Sequence, residues 1–288
     1  MRRVVFVLAT MALAILLAGG VAQAIINGEP DRGHKAHPYV GAYVTKFEGE
    51  LLPVCSGTLI SPRVFLTAGH CTELEIEKDR PVYVSFDPTY KPGASALVKG
   101  TPYLHPKYCI PTPEDKADYC APKRRSGPLL VPLARDIRYD VGVVVLNKPV
   151  RMATYGALPK VDLVDTLKEG QRLPVVGYGV SGFERGGDGP RPRVVPVLPG
   201  DRYRATVRLL NPIDPAIGDQ LVKTSGTRLG GGGEGICYGD SGGPLFLPDQ
   251  ETIVGTTSGV PAVPLCRAQG YYQRMDLPAV LKWVRSFG

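Results

Sequence analysis

Short apolar runs rich in Val, Leu and Tyr alternate with polar, turn-forming stretches along nearly the whole chain. The clearest are Pro38–Val44, Val64–Leu66, Val82–Phe86, Val141–Leu146, Leu173–Val176, Tyr203–Leu210 and Thr252–Val254. Glycine (35 residues) and proline (28) punctuate them throughout. Brief β-rich runs between turn signals predict an all-β protein, a barrel or a sandwich. The one clear helical pattern comes last: Leu277, Val280, Leu281 and Val284 recur at i, i+3, i+4 and i+7, with Asp276 placed to cap them. Residues 181–201, loaded with Gly, Pro, Arg and Asp, and the proline-rich residues 106–134 read as irregular surface. No repeat is visible, and no linker composition separates independent domains.

One apolar run breaks this pattern. Val4 to Val21 follows Met1-Arg-Arg3 and ends in Ala22-Gln-Ala24. A basic start, an apolar centre and an A-x-A ending describe a secretory signal peptide cut after Ala24, rather than a membrane anchor. The expectation is a secreted chain, extracellular or periplasmic, of residues 25–288, with no membrane segment once the signal is removed. That length suffices for a substantial core or for two small β-domains sharing one. The net charge of +7 falls to +5 when Arg2 and Arg3 are removed. The densest basic run, Lys123-Arg124-Arg125, reads as solvated surface or as a polyanion site, and no nucleic-acid motif accompanies it. Six cysteines (Cys55, Cys71, Cys109, Cys120, Cys237, Cys266) behind a signal peptide read as disulfides. None lies in a close C-x-x-C pair, so no metal and no cofactor is expected.

The richest stretch for chemistry is Gly235-Ile-Cys-Tyr-Gly-Asp-Ser-Gly-Gly-Pro244. Its glycines permit positive φ and close approach to a substrate. Its serine, Ser241, is a weak nucleophile unless a base, an orienting group and oxyanion donors come with it. Of the histidines His34, His37, His70 and His105, the best-placed base is His70, in Leu66-Thr-Ala-Gly-His-Cys71, behind an apolar strand and beside a cysteine. His34 and His37 sit in a polar stretch and read as surface residues; His105 reads as a packing or capping residue. Asp140 opens the apolar run Asp140–Leu146, which would draw it inside.

Together these residues resemble the trypsin/chymotrypsin family of serine endopeptidases. The matching motifs are LTAGHC at 66–71, HPKY at 105–108, YDVGVVVL at 139–146, GYG at 177–179 and GDSGGPLF at 239–246, followed by the terminal helix. The resemblance implies two antiparallel six-stranded β-barrels, about 25–150 and 151–272, a helix at about 276–286, and an active site between the barrels. It implies Ser241 as nucleophile, His70 as general base and acid, Asp140 as its orienting partner, and the N–H groups of Gly239 and Ser241 as the oxyanion hole. Ser258 matches the serine that hydrogen-bonds the aspartate. Cys55–Cys71 and Cys237–Cys266 match family bridges, which leaves Cys109 and Cys120 to pair. That last pair sits in a segment foreign to the family pattern, which would overhang the cleft.

Family members start Ile-Val-Gly-Gly after a propeptide is removed, and the freed ammonium pairs with the acid preceding the nucleophile. The similar string here is Ile25-Ile-Asn-Gly28 and the acid is Asp240; the expected signal cut before Ile25 leaves no propeptide. The pocket floor falls on Gly235, so the acid that selects Arg or Lys is absent, although Glu234 is one residue away. Val260 and Gly270 would flank the pocket and favour small or medium apolar side chains. Polypeptide substrates and protein inhibitors are the implied partners, and a monomer is expected. Two other readings remain open from sequence: an inactive protease-like binding protein, and a polyanion-binding protein using the basic loop.

Overall fold

Most strand positions are buried, because the strands close into two barrels and pack on both faces; alternation of buried with less buried positions is clear in Tyr203–Leu210. The computed structural model describes residues 25–32, 37–47, 49–109, 137–186, 193–197, 200–212, 218–227, 233–259, 266 and 268–288. The expected signal peptide and most of the 106–134 segment, with Cys120 and Lys123-Arg124-Arg125, lie outside them, as do His34 and Val260.

After a two-residue strand β1 (Glu29–Pro30), the first barrel is built from β2 (Val40–Phe47), β3 (Glu50–Ser61), β4 (Val64–Thr67), β5 (Val82–Ser85), β6 (Val98–Leu104) and β7 (Gly142–Leu146). These close antiparallel in the order β2-β3-β4-β7-β6-β5. A helix, α1 (Gly69–Glu77), follows β4. The second barrel uses β8 (Arg172–Gly177), β11 (Tyr203–Leu210), β12 (Leu221–Thr224), β13 (Pro244–Phe246), β14 (Ile253–Gly259) and β15 (Gly270–Arg274). It closes because β8 pairs with both β11 and β13, while β1 adds to β11 at an edge. The molecule is thus two closed six-stranded antiparallel barrels.

Each barrel has its own filling. Val40, Tyr43, Leu59, Phe65, Leu66, Val143, Val144 and Leu146 pack inside the first, and Ile25, Leu173, Val175, Val207, Leu209, Leu245, Val254 and Tyr272 inside the second. Each such side chain contributes roughly 1.5–3 kcal/mol by leaving water. Long β3 carries both Pro53 and Gly57. The register slips between Tyr43, opposite Cys55, and Val44, opposite Pro53; this bulge accommodates a strand proline. A Cβ on Gly57 would collide with the Leu66 carbonyl and the Phe65 ring, so the two strands approach through that glycine.

A buried cluster ties the barrels together. Arg202, just before β11, donates from Nε to Asp31 Oδ2 (2.7 Å) and from a terminal nitrogen to Val40 O (3.0 Å). Asp31 also takes the His37 main-chain N–H and Nδ1, both at 2.8 Å. His37 is therefore not a surface residue. It is 2% exposed and stacks on Phe246, because Asp31 and Arg202 supply a polar niche that its neighbours in sequence do not reveal. Other readings need correction as well. Asp276 does not cap the terminal helix: α2 (Pro278–Val284) starts two residues later, and the buried carboxylate instead accepts from Arg274 Nε (3.0 Å) and Val164 N (2.8 Å). Residues 181–201 are not wholly irregular, since β9 (Gly182–Gly186) and β10 (Arg193–Val197) pair as a hairpin. His105 packs as expected, buried and stacked on Tyr139. Among the described residues no helix is long and apolar enough to cross a membrane.

Candidate active site

Strand β4 delivers the histidine. It ends at Thr67, whose hydroxyl donates to Ser56 O (2.8 Å), and the chain turns directly into α1, so that His70 lies in its first turn. The Cys55–Cys71 disulfide braces this turn against β3. Asp140 arrives from the neighbouring strand of the same barrel, just before β7, which pairs with β4, and is fully buried. His70 Nδ1 lies 2.9 Å from Asp140 Oδ2 and 3.1 Å from Oδ1, and the His70 main-chain N–H donates to Oδ1 at 2.9 Å. The hydroxyl of Ser258, on β14 of the second barrel, donates to Asp140 Oδ2 at 2.6 Å.

Burial works against charge on both groups, and their pairing overcomes it. Desolvation would raise the Asp140 carboxyl, but the His70 charge and the hydrogen bonds from His70 and Ser258 hold it below the ordinary 3.8. Desolvation would lower His70, but Asp140 and, further off, Glu73 lift it above the ordinary 6.5. Glu73 sits three residues after His70 on α1, on the same helical face, and accepts a hydrogen bond from the Tyr108 hydroxyl (2.9 Å). Local sequence does not single out Glu73, because α1 carries no clear helical periodicity of apolar residues. Glu73→Gln is expected to move the acid limb of the kcat/KM–pH profile of peptide cleavage to lower pH by a fraction of a unit. An unmoved limb would remove Glu73 from the electrostatics of the site.

The glycine-dense loop comes from the second barrel and meets this pair. Ser241 O accepts from Ser56 N (2.8 Å) and lies 3.7 Å from Cys71 Sγ, beside His70. Gly242, at φ +80°, packs so closely on Thr67 and Ala68 that a Cβ could not fit. Gly239, at φ +92°, has its carbonyl held by the Ser56 hydroxyl at 2.9 Å. The backbone N–H groups of Gly239 and Ser241 make no hydrogen bond among the described residues, nor does Ser241 Oγ. Two neighbouring free amides beside a serine hydroxyl can receive a developing oxyanion. Hydrogen bonds of a serine to its base are commonly long without substrate.

Asp240, between the two amides, points inward. Its carboxylate accepts from Gly179 N and Cys237 N, both at 2.9 Å. A Cβ on Gly177 or Gly179 would collide with that carboxylate, which is why the GYG string carries glycine on both sides of Tyr178. Burial pushes Asp240 up to about 7 despite these two bonds. Ile25 is fully buried in the second barrel, and Ile26 bridges to Gly235.

Gly235 is buried, next to the Cys237–Cys266 disulfide. Glu234 turns away, its carboxylate taking the Thr206 main-chain N–H at 2.7 Å. Gly270 opens β15, where a Cβ would stand 3.2 Å from Ile236 Cδ1. Ile236 is 3% exposed and packs in the core of the second barrel. Cys109 is disulfide-bonded; its expected partner Cys120 is outside the described residues. Cys55, His70 and Cys71 cluster within 4.8 Å, but both sulfurs are in a disulfide and offer no thiolate to a metal.

Comparison with known proteins agrees with this architecture. The family model described as Trypsin matches residues 25–284. Spermosin of Halocynthia roretzi is 29% identical over 231 residues, covering 74% of this chain and 49% of its own length. The Spaetzle-processing enzyme of Drosophila melanogaster is 26% identical over 253 residues, covering 81% and 58%. The chain thus spans about half the length of the curated relatives it matches. Among solved structures, HL collagenase (TM-score 0.59, 17% identity, 91% of this chain and 97% of that one) and mouse neuropsin (0.58, 19%, 91% and 99%) share the fold.

Proposed function

The chain belongs to the trypsin family, and from that premise we propose that it is a secreted serine endopeptidase working through Ser241, His70 and Asp140. Ser241 Oγ attacks the scissile carbonyl while His70 Nε2 takes its proton. Asp140 keeps the other imidazole proton on Nδ1 and stabilises the ring once it is charged. The oxyanion forms against the N–H groups of Gly239 and Ser241. His70 then passes the proton to the leaving amine, and water, deprotonated in turn by His70, releases the acyl group from Ser241.

The observation that carries this reading is the pair of unpartnered amides flanking Asp240, beside a histidine whose Nδ1 is held by a buried carboxylate. A binding protein descended from a protease has no need to keep two amides unpaired. On the substrate side, the floor glycine Gly235 and the withdrawn Glu234 favour small or medium apolar side chains over Arg and Lys.

A fluorophosphonate probe is expected to modify Ser241 in the folded protein and to leave Ser241→Ala unlabelled. Absence of labelling in folded protein would overturn the hydrolase reading. The specificity reading fails separately if unlabelled enzyme from a preparation that the probe modifies, profiled on a peptide library, cuts after Arg or Lys.

A further inference from the structure

Asp140 stands at an awkward place in the backbone. The residue before it, Tyr139, has φ +49°, a conformation that is costly for a side chain with Cβ, and β7 does not begin until Gly142. The main-chain N–H of Asp140 is therefore buried outside any ladder, and leaving it unpaired would cost about 1–3 kcal/mol. Its acceptor comes from the opposite barrel: Gln273 Oε1, on β15, lies 2.9 Å away. Gln273 is fully buried. Its Nε2 donates to Gln220 O (3.0 Å) and Arg274 O (3.2 Å). The two carbonyls require the amide nitrogen on their side, so the orientation of the side chain is set by its partners. On the other flank, His105 stacks on the Tyr139 ring at 4.6 Å. The strained turn is thus clamped between an aromatic stack from its own barrel and an amide from the other.

We propose that Gln273 is a positioning residue for Asp140, and through it for His70, an inference that rests on the serine endopeptidase reading. Ser258 restrains the carboxylate and Gln273 restrains the main chain that bears it, both from the second barrel. Without Gln273 the turn at Tyr139 is free to relax. The carboxylate then shifts relative to His70 Nδ1, while the pocket residues on either side of Gly235 stay where they are.

Gln273→Met keeps length and burial but removes all three hydrogen bonds. It is expected to lower kcat per fluorophosphonate-titrated site by roughly 10–100-fold, the scale on which small misplacements act, with KM changed less than about twofold. The far-downfield proton resonance of the His70–Asp140 hydrogen bond is expected to shift or broaden. Unchanged kcat per titrated site with an unchanged resonance overturns the proposal even if the variant melts earlier, since that is the pattern of a merely structural residue. Should the methionine variant not fold, Gln273→Asn, polar but one methylene shorter, is read by the same two measurements with the same criteria. An unlabelled wild type would overturn the hydrolase reading instead, and the resonance alone would then decide whether Gln273 orients Asp140.

Discussion

Asp140→Asn is expected to lower kcat for peptide cleavage about 10⁴-fold, the loss a Ser-His-Asp triad shows when its acid becomes an amide, with little change in fold. The hydrogen bonds dictate this outcome. Asp140 Oδ1 receives the His70 main-chain N–H, which can only donate, so the asparagine oxygen must take that place. The amide nitrogen then occupies the Oδ2 position, facing His70 Nδ1 and the Ser258 hydroxyl. Ser258 adapts by rotating its hydroxyl to accept. His70 adapts only by presenting a lone pair at Nδ1 and moving its proton to Nε2, and that tautomer cannot take a proton from Ser241. Circular dichroism and kcat at several pH values on probe-titrated enzyme check this; a loss below tenfold would show that Asp140 does not set the tautomer.

The residues that determine this outcome were unequally visible in the sequence. Asp140, His70 and Ser241 each stand where a polar residue interrupts a strand end or a glycine run, and local pattern exposes such positions. The barrels were legible wherever a strand carried a dense or alternating run of Val, Leu or Tyr, as in β7 and β11. Strand β3 was not, because Pro53 and Gly57 look like breakers; one sits by a bulge and the other at a close approach between strands, and both depend on partners distant in sequence. His37 and Gln273 show the same limit. In sequence each is a polar residue among others, and only the arrival of Arg202 in one case and of the Tyr139 turn in the other turns it into a buried hydrogen-bonding group. Glu73 is a different failure, since its spacing from His70 was visible once α1 was known to be helical.

A chain beginning at Ile25 is expected to hold its stability from about pH 4 to 9, whereas one carrying residues before Ile25 loses about 4 kcal/mol over that range. The group responsible is Asp240. With Ile25 in peptide linkage the carboxylate has two amide donors but, among the described residues, no cation, and burial lifts it from 3.8 to about 7. A raised acid takes up a proton on folding. Its contribution is fully present below about pH 4 and is lost as the pH rises through about 7. A free ammonium at Ile25, whose side chain is already buried in the second barrel, reverses the sign by giving the charged carboxylate a partner. Because Asp240 lies between the two amides proposed to bind the oxyanion, the same few kcal/mol bear on kcat/KM, and about 10³-fold between the two forms at pH 8 is expected. Urea midpoints and kcat/KM at pH 5.5 and 8.5, for protein with and without one alanine placed before Ile25, separate the cases. Parallel pH curves for the two proteins would show that Asp240 answers to something other than the chain terminus. Divergent curves would mean that cleavage before Ile25, during export or after it, switches the enzyme on.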